Sequence, residues 1–317
     1  MMGKTQKLYS ERLVQRVNEL YHDLTSEQYT HSHPEIFEQE KDRWERIARQ
    51  FLTFTRPVRI LDIGTGTGFV PLTIAGFLRM KDTFICSDIS KAVLEVARQS
   101  ISKQNLPPHF RFVKIELQVP FQLPFATASM DAVTMNSVLH HIKDTGTFLS
   151  EVDRVLKPGG LLLIAHEPNR YFYQNRFLWY NSLFANYIMN PKATLHGLLR
   201  RLGMERIGLL KHSENKTQSE DRRITDRINE KLTRERLIKE PLLPEEIGGI
   251  TDVRSREGFK PDSLVPGYRL LHLETYNHLF WVVIRHNKNP IIRRYDSLLR
   301  AIYPGNGSSF FSVLRKG

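Results

Sequence analysis

Short apolar runs alternate with amphipathic patterns through the middle of the chain. Five runs predict buried strands, at 58–63, 83–88, 110–115, 130–137 and 161–167. Apolar residues between them recur at a spacing close to 3.6 and predict helices, at 69–78, 90–104 and 145–156. Strands that alternate with helices favour a parallel sheet covered by helices on both faces. The sequence therefore predicts a doubly wound α/β fold.

Helical patterns flank this region on both sides. Two amphipathic segments, 8–21 and 35–54, precede it, and an aromatic stretch that becomes strongly basic follows it. Strand character returns at 268–276 and near the C-terminus, with a basic helix between the two. We therefore divide the chain into N-terminal helices that act as a lid, an α/β core, a helical cap insertion, and the final strands with a helical excursion: 1–56, 57–167, 168–257 and 258–317.

The composition is that of a water-soluble globular protein, with 40% hydrophobic and 25% charged residues. No apolar run reaches the about 18 residues that a membrane span needs, and the N-terminal segment lacks the apolar core of a secretion signal. The single cysteine, Cys86, lies in a predicted strand and has no partner for an internal disulfide, so we expect a small buried core residue. These features predict a cytoplasmic protein.

The formal net charge of +12 is unevenly distributed. Residues 1–165 carry 20 Lys and Arg against 18 Asp and Glu, whereas residues 166–317 carry 26 against 16. A basic half suits an anionic partner, which includes nucleic acid, a membrane surface and an acidic small molecule. The same excess also serves solubility alone, and the charge by itself does not decide between these roles.

Three glycines follow the first predicted core strand in the stretch "ILDIGTGTGF", at positions 64, 66 and 68. Glycines at a tight turn from a strand to a helix let a ligand approach the backbone N–H groups at the helix start. A second acid, Asp88, ends the next strand, 20 residues after Gly68. A carboxylate at that position accepts both hydroxyls of a ribose. The residues alone therefore indicate a nucleoside-containing ligand.

The spacing of this loop resembles motif I of the class I S-adenosylmethionine-dependent methyltransferases. Asp62 precedes glycines at alternate positions, where a dinucleotide-binding fold has G-x-G-x-x-G. The stretches "LPFATASMDAVTMNSVLHHI" (123–142) and "EVDRVLKPGGLLLIA" (151–165) resemble the fourth-strand region and the approach to the fifth strand of the same family. The likeness is greatest to the small-molecule subset that includes quinone-biosynthesis enzymes.

The resemblance implies S-adenosylmethionine as the cofactor and indicates its contacts near the glycine loop. The loop from Gly64 through Thr65 and Gly66 to Gly68 passes under the methionine part of the cofactor. Asp62 orients this loop or holds the cofactor amino group through water.

Further contacts follow from the ends of the next strands. The resemblance places Asp88 on the ribose and Ile89 on the adenine. Asn136 ends the fourth strand and offers its backbone carbonyl to the methionine ammonium. An acid after the third strand meets the adenine amino group in this family, and Glu116, with Leu117 beside it, is the candidate here, although the segment is longer than usual.

The family fold has a mostly parallel seven-stranded sheet with an antiparallel last strand. That last strand inserts between the fifth and sixth strands. The stretch "SSFFSVLRKG" matches it, so residues 277–307 form an excursion between the sixth and seventh strands.

The chemistry needs a nucleophile in line with the cofactor methyl group and a route for one proton. His140 and His141 follow the fourth strand, and His166 ends the fifth, both at the ligand edge of this fold. Neutral histidine accepts a proton near neutral pH. Adjacent helical residues point about 100° apart, so only one of the first two faces substrate. We favour His141 as the base, with His166 as the rival, and expect no metal.

The substrate is less sharply defined. Enzymes that methylate exocyclic amines of nucleic acid bases carry an Asn/Asp/Ser-Pro-Pro-aromatic motif after the fourth strand, where this chain has "NSVLHH", so nucleic acid is not expected. The aromatic insertion and basic surface favour a small or lipid-like apolar or anionic molecule, O-methylated, with peripheral membrane contact through the basic half. A protein or RNA substrate bound by that basic half is the alternative. The oligomeric state stays open.

Overall fold

The computed structural model describes residues 9–26, 40–189, 216–254, 257–280 and 289–317 of the 317-residue chain. The seven strands are β1 Arg59–Ile63, β2 Thr83–Asp88, β3 His109–Lys114, β4 Met130–Asn136, β5 Leu156–Pro168, β6 Arg269–Tyr276 and β7 Ser309–Arg315. The α-helices are α1 Glu11–Thr25, α2 Lys41–Phe51, α3 Phe69–Ile74, α4 Lys91–Ser102, α5 Thr145–Val155, α6 Arg170–Gln174, α7 Arg176–Met189, α8 Lys216–Arg234, α9 Pro244–Thr251 and α10 Pro290–Ile302. Short 3-10 turns cover Ala75–Phe77 and Leu139–His141.

The strands form one sheet in the order β3-β2-β1-β4-β5-β7-β6. Neighbouring strands are parallel except at β7, which runs antiparallel to both β5 and β6. This confirms the predicted doubly wound, mostly parallel seven-stranded sheet and the insertion of the last strand. From β1 the sheet continues through β2 and β3 on one side and through β4 and β5 on the other, so the strand order reverses there. Ligands bind outside the carboxyl ends of the strands at such a switch point.

Both faces of the sheet are covered, so its central strands are apolar throughout. Ile60 and Leu61 are adjacent in β1 and fully buried, in hydrophobic clusters on opposite faces. Trp44 of α2 packs on Phe311 of β7 with ring centroids 4.7 Å apart. Cys86 is buried as expected, and burial raises the pKa of its thiol. Continuous burial explains why the strands read as uninterrupted apolar runs.

The segment "KPGG" (157–160), which the sequence indicates as a turn, lies inside β5. The β4–β5 register passes from Met130 opposite Leu156 to Ala132 opposite Leu161, so extra residues form a bulge in the strand. Gly159 has a φ of +74°, which a non-glycine residue rarely adopts. The strand therefore begins at 156, five residues before the predicted start.

Two smaller hydrophobic clusters lie outside the sheet and divide the predicted cap. In one, α8 and α9 pack on α1, with Leu20, Ile228 and Ile250 completely or almost completely buried. In the other, α6 and α7 pack on α10, around Phe172 and Leu299. None of the described helices is long and apolar enough to cross a membrane.

The loop that leads into β7 makes a close backbone contact that is testable by substitution. A Cβ atom added at Gly307 would lie 2.2 Å from the backbone nitrogen of Tyr276, whereas one added at Gly305 would meet nothing within 4 Å. We expect Gly307→Ala to lower the free energy of unfolding by about 1–3 kcal/mol or more, because the backbone of β6 must shift. Urea unfolding monitored by circular dichroism measures it.

Gly305→Ala is the matched control and should change the free energy of unfolding by less than about 0.5 kcal/mol. The two carbonyl groups are held alike, since the Asn169 amide donates to the carbonyl oxygens of both Gly305 and Gly307. Equal stability of the two variants would contradict the described path of this loop.

Candidate functional site

A cavity lies at the carboxyl ends of β1, β2 and β4. Its wall is mostly apolar and includes Ile63, Ile89, Ile115, Phe121, Ile142 and Phe148. Among the described residues no Arg or Lys lines it, and Asp88 is its acidic group.

The glycine loop forms the floor of this cavity, and its glycines are needed for different reasons. All three have positive φ, at +66° for Gly64, +55° for Gly66 and +101° for Gly68. A Cβ atom at Gly64 would lie 2.6 Å from a methyl group of Val138, whereas one at Gly66 would meet nothing within 4 Å. Gly66 therefore keeps the floor open toward the cavity, and Gly68 begins α3.

Asp62 lies beneath the loop and does not line the cavity. Its carboxylate accepts hydrogen bonds from the hydroxyl groups of Thr134 (2.6 Å) and Thr65 (2.8 Å). Burial raises the pKa of Asp62 to about 7. Thr65 is also buried, and its backbone N–H donates to the Ser87 carbonyl. Both residues hold the loop in place from below.

Asp88 forms the cavity wall at the end of β2, next to Ile89. Its carboxylate accepts the backbone N–H groups of Gly66 and Ser90, each at 2.9 Å. Burial nevertheless raises the pKa of Asp88 to about 6, with nearby Asp23 contributing in the same direction. Asp88 thus links the glycine loop to β2 and presents a carboxylate to the cavity.

The segment after β3 differs from the sequence expectation. Ile115 lines the cavity, whereas Glu116 and Leu117 do not. The Glu116 side chain is 77% exposed and pairs with Lys114 at 3.4 Å. The chain leaves the strand at Lys114, so the alternation of side chains turns Ile115 inward and the acid outward. The structure therefore gives no support to Glu116 as an adenine contact.

Helix α1 covers the cavity from above, and sequence reasoning missed the residues that it contributes. Asn18 and His22 both line the cavity, one turn apart. The Asn18 amide donates to the Val14 carbonyl at 2.9 Å, but its buried Oδ1 has no hydrogen-bond partner among the described residues. A buried, unpaired acceptor on a ligand cavity suits a donor from that ligand. The sequence held no signal that set these two residues apart from other polar residues of an amphipathic helix. Residues 27–39, which include the connection between the two helical segments of the predicted lid, lie outside the described residues.

The end of β4 brings Asn136 to the cavity, as the resemblance implies. The indole N–H of Trp44 donates to the Asn136 side-chain oxygen at 3.0 Å, and this bond fixes the end of the strand against α2. The next residue, Ser137, has a φ of +59° and also lines the cavity. The chain then turns sharply into the 3-10 turn that carries the two histidines.

His141 lines the cavity, and His140 does not. This separation agrees with the expectation that adjacent residues face different ways. The His141 Nδ1 atom contacts the Thr251 carbonyl, which can only accept, so Nδ1 carries the proton and Nε2 keeps a lone pair. Burial, followed by the neighbouring His140, lowers the pKa of His141. His141 is therefore a neutral imidazole with a proton acceptor beside the cavity.

His140 serves the turn rather than the cavity. Its Nδ1–H donates to Glu167 at 2.9 Å, and its Nε2 lies 3.6 Å from Asp252. Although burial opposes it, the charge of Glu167 raises the pKa of His140. Atoms of His140, His141 and Asp252 that could ligate a metal lie within 4.8 Å of one another. His140 lies between the carboxylates of Glu167 and Asp252 in this cluster.

Part of the predicted cap holds this turn in place. The Arg254 guanidinium donates to the carbonyl oxygens of Ile142 and Lys143, with the shortest bond 2.7 Å. The Arg254 backbone N–H donates to the His140 carbonyl at 3.0 Å. Together with the Thr251 carbonyl, these bonds attach the end of α9 to the histidine turn. Nothing in the sequence predicted these hydrogen bonds.

His166, the rival base, lies away from the cavity. The β5–β7 register shifts between Ala165 and Glu167, and His166 has a φ of +56°. This bulge turns its side chain toward Glu40, with Nδ1 and the carboxylate 3.2 Å apart. The aromatic residues of α6 and α7 do not line the cavity either; they pack around α10 or face solvent.

Comparison with known proteins agrees with this geometry. Residues 61–164 match the family described as "Methyltransferase domain". The chain is 29% identical over 160 residues to a ubiquinone/menaquinone biosynthesis C-methyltransferase of Geotalea daltonii, covering 50% of this chain and 64% of that protein. It is 33% identical over 147 residues to a demethylmenaquinone methyltransferase of Symbiobacterium thermophilum, covering 45% and 57%. The chain thus spans about three fifths of the length of these relatives.

Solved structures give weaker likenesses. A methyltransferase of Aquifex aeolicus aligns with 42% of this chain and 66% of its own at 24% identity, with a TM-score of 0.36. Phosphoethanolamine N-methyltransferase 2 of Haemonchus contortus aligns with 93% of this chain and 60% of its own at 18% identity and a TM-score of 0.42. The sheet order, the glycine loop and the sequence match together identify the domain. The α/β core of this chain is thus similar to the class I S-adenosylmethionine-dependent methyltransferases, and residues 61–164 match a methyltransferase domain.

Proposed function

We propose that the protein transfers a methyl group from S-adenosylmethionine to a small, lipid-like, apolar molecule. One observation carries the proposal: a single cavity extends from Asp88 at the end of β2 to His141 beyond the end of β4. β1 lies between these two strands, and neighbouring strands are about 4.8 Å apart, so the two groups mark ends of a site roughly 10 Å wide. A ribose-binding acid and a proton acceptor therefore share one space.

The residues present fit the cofactor. Asp88 is a buried carboxylate for the ribose hydroxyls, Ile89 and Ile115 provide apolar walls for the adenine, and the unpaired Oδ1 of Asn18 accepts a donor. The open side of Gly66 leaves room beside the loop for the methionine part. When bound, the cofactor supplies an electrophilic methyl group on a sulfonium. The protein has only to align the acceptor and move a proton.

The apolar lining supports the apolar part of the substrate proposal. The described cavity wall has no cation for an anionic substrate group, so such a group would lie outside it. One relative is named for ubiquinone and menaquinone biosynthesis and another as a demethylmenaquinone methyltransferase, so both names refer to quinones. We therefore propose a hydroxylated apolar ring as the substrate class. We also propose that the protein reaches this substrate through peripheral contact with a membrane.

His141 is the proposed base, acting through Nε2. Loss of a hydroxyl proton makes the oxygen a nucleophile. In a hydroxylated aromatic ring it also raises the electron density at the neighbouring ring carbon. The same base therefore serves O-methylation, which we propose, and the first step of C-methylation, the reaction in the name of the Geotalea daltonii relative, after which the methylated ring carbon releases its own proton to restore the aromatic ring. A protein or RNA substrate is less well supported, because α1 covers the cavity and no Lys or Arg of the described residues lines it.

Cofactor binding is expected to depend on Asp88. Replacement of Asp88 by Asn keeps the side-chain volume but removes the charge that strengthens two hydroxyl bonds. Affinity for S-adenosylhomocysteine should fall at least about tenfold, since bonds to a charged group contribute about 1.5–3 kcal/mol. Isothermal titration calorimetry measures it, with Glu116→Gln as the control that should bind normally. If both variants lost cofactor affinity equally, Glu116 would belong to the site, and the described position of the segment after β3 would be wrong.

Cofactor affinity is also expected to rise with pH through about 6. The pKa of Asp88 is raised to about 6, and ribose bonds favour its anion, so binding at lower pH requires loss of a proton. Affinity should therefore fall as the pH drops below about 6 and level off above it. Asp23 and Asp62 face Asp88, and Asp62 has a pKa of about 7. In calorimetry, the cofactor affinity of the Asp88→Asn variant should not depend on pH near pH 6. If that pH dependence persisted, it would have to come from another acid.

Methyl transfer is expected to depend on His141 and not on His166. His141→Ala should lower turnover by about 10²–10⁴-fold, the range for general base catalysis. Affinity for S-adenosylhomocysteine should be retained, because the ring faces the acceptor. His166→Ala should remain active, since that side chain lies outside the cavity.

The assay follows a ¹³C-labelled methyl group from S-adenosylmethionine to a prenylated hydroquinone by NMR, which separates O-methyl from C-methyl products. Label found in RNA or polypeptide and absent from the hydroquinone would contradict the substrate proposal. Full activity of His141→Ala would remove the base while leaving the methyltransferase proposal in place.

A further inference from the structure

The solvent-facing side of α7 is apolar, which is the reverse of an ordinary surface helix. Six of its large apolar residues are about half exposed or more: Phe177 (53%), Tyr180 (65%), Leu183 (48%), Phe184 (63%), Tyr187 (54%) and Ile188 (57%). At 100° per residue they share one arc of about 140°. Leu178 and Ser182, on the opposite side, are the buried residues of the helix.

A second apolar stripe, on α10, adjoins this face. Ile291, Leu298 and Ile302 are 74%, 54% and 57% exposed and lie at about the same angle around the helix. The Tyr295 hydroxyl donates to the Asn181 side chain at 2.8 Å, and the rings of Phe177 and Tyr303 are 5.8 Å apart. These contacts run in opposite chain directions, so α7 and α10 lie antiparallel with their apolar stripes side by side.

The exposed charges on these two helices are all positive. Arg176 begins α7, and Arg294 lies about 60° from the α10 stripe, whereas Arg293 lies on the opposite side of α10. Within the described residues of the two helices the one acid is Asp296, which is partly buried and accepts the Leu279 backbone N–H at 2.9 Å. Cations next to aromatic and aliphatic side chains on one face are the pattern of a helix that lies in the plane of a membrane.

We propose that the α7–α10 face, defined by these two apolar stripes and their arginines, binds the surface of an anionic phospholipid bilayer. Two antiparallel helices present a convex ridge about 20 Å long, which suits a broad lipid surface better than the pocket of a protein partner. The apolar side chains enter the acyl boundary, and the arginines meet phosphate groups. The inference rests on the proposed function in one respect: a lipid-like substrate would be reached at such a surface.

Vesicle sedimentation of the full chain tests this face without cofactor or substrate. The protein should pellet with vesicles of phosphatidylcholine and phosphatidylglycerol, and less with phosphatidylcholine alone. Added salt should weaken the difference, because it screens the arginine contacts. The double variant Phe184→Glu, Ile188→Glu should lower the partition coefficient at least about tenfold, since two apolar side chains leave the bilayer.

Met80→Glu is the matched control. Met80 is 83% exposed and lies before β2, outside α7 and α10, so the Met80→Glu variant should bind vesicles normally. Arg294→Gln should lower binding to anionic vesicles only. Equal binding by the double variant and the control would overturn the proposal. So would a chain that fails to bind vesicles but dimerises in sedimentation velocity, with the double variant monomeric, because the face would then bind a second copy.

The outcome is separable from that of the proposed function. Vesicle binding uses no cofactor, whereas S-adenosylhomocysteine titration uses no lipid. The double variant lies outside the cavity and should keep its cofactor affinity. Normal vesicle binding by a chain without cofactor affinity would reject the function and leave the membrane face, and the converse result would reject the face alone.

Discussion

The buried carboxylate of Glu167 holds together the part of the molecule on which the site depends. It is fully buried and accepts the backbone N–H groups of Val138 (2.6 Å), Leu139 (2.7 Å) and His140 (3.1 Å). These donors begin a turn and would otherwise lack partners away from water, which costs about 1–3 kcal/mol each. The ring of His140 donates to the same carboxylate. Glu167 therefore joins the end of β5 to the turn after β4, and His141 takes its position from that junction.

Two layers of contacts beyond Glu167 set the chemistry of His141. The Thr251 carbonyl fixes the tautomer, and Arg254 ties the following carbonyl groups to the end of α9. α9 in turn packs on α1, which carries Asn18 and His22 over the same cavity. Helix α9 thus supports the N-terminal helix above the cavity, although more than 200 residues separate them along the chain.

The sequence was sufficient for features that local physics determines. The strands of the core were predictable because both faces are buried, and the glycine loop because its backbone conformation excludes other residues. Asp88 followed from its position at the end of a strand beside that loop. Features that depend on tertiary contacts were not predictable. The bulge at His166 turns one side chain away from the cavity, and the alternation of side chains after β3 places Ile115 inward and Glu116 outward. Asn18 resembles any polar residue of an amphipathic helix until the packing of α1 is known.

The position of β7 has a consequence for how the chain reaches this state during synthesis. β6 pairs with β7 and with no other strand of the described sheet, and β7 is the last strand along the chain. A ribosome that has produced residues up to β6 therefore holds a five-stranded parallel sheet whose β5 edge is unpaired and whose sixth strand has no place to bind. Only when residues 309–315 emerge can both strands join, as one antiparallel hairpin. Until then the exposed edge of β5 is a site for pairing with other chains, which is the hazard of late, non-local strand pairing. Completion of the sheet thus waits for residues 309–315, however early the five parallel strands are made.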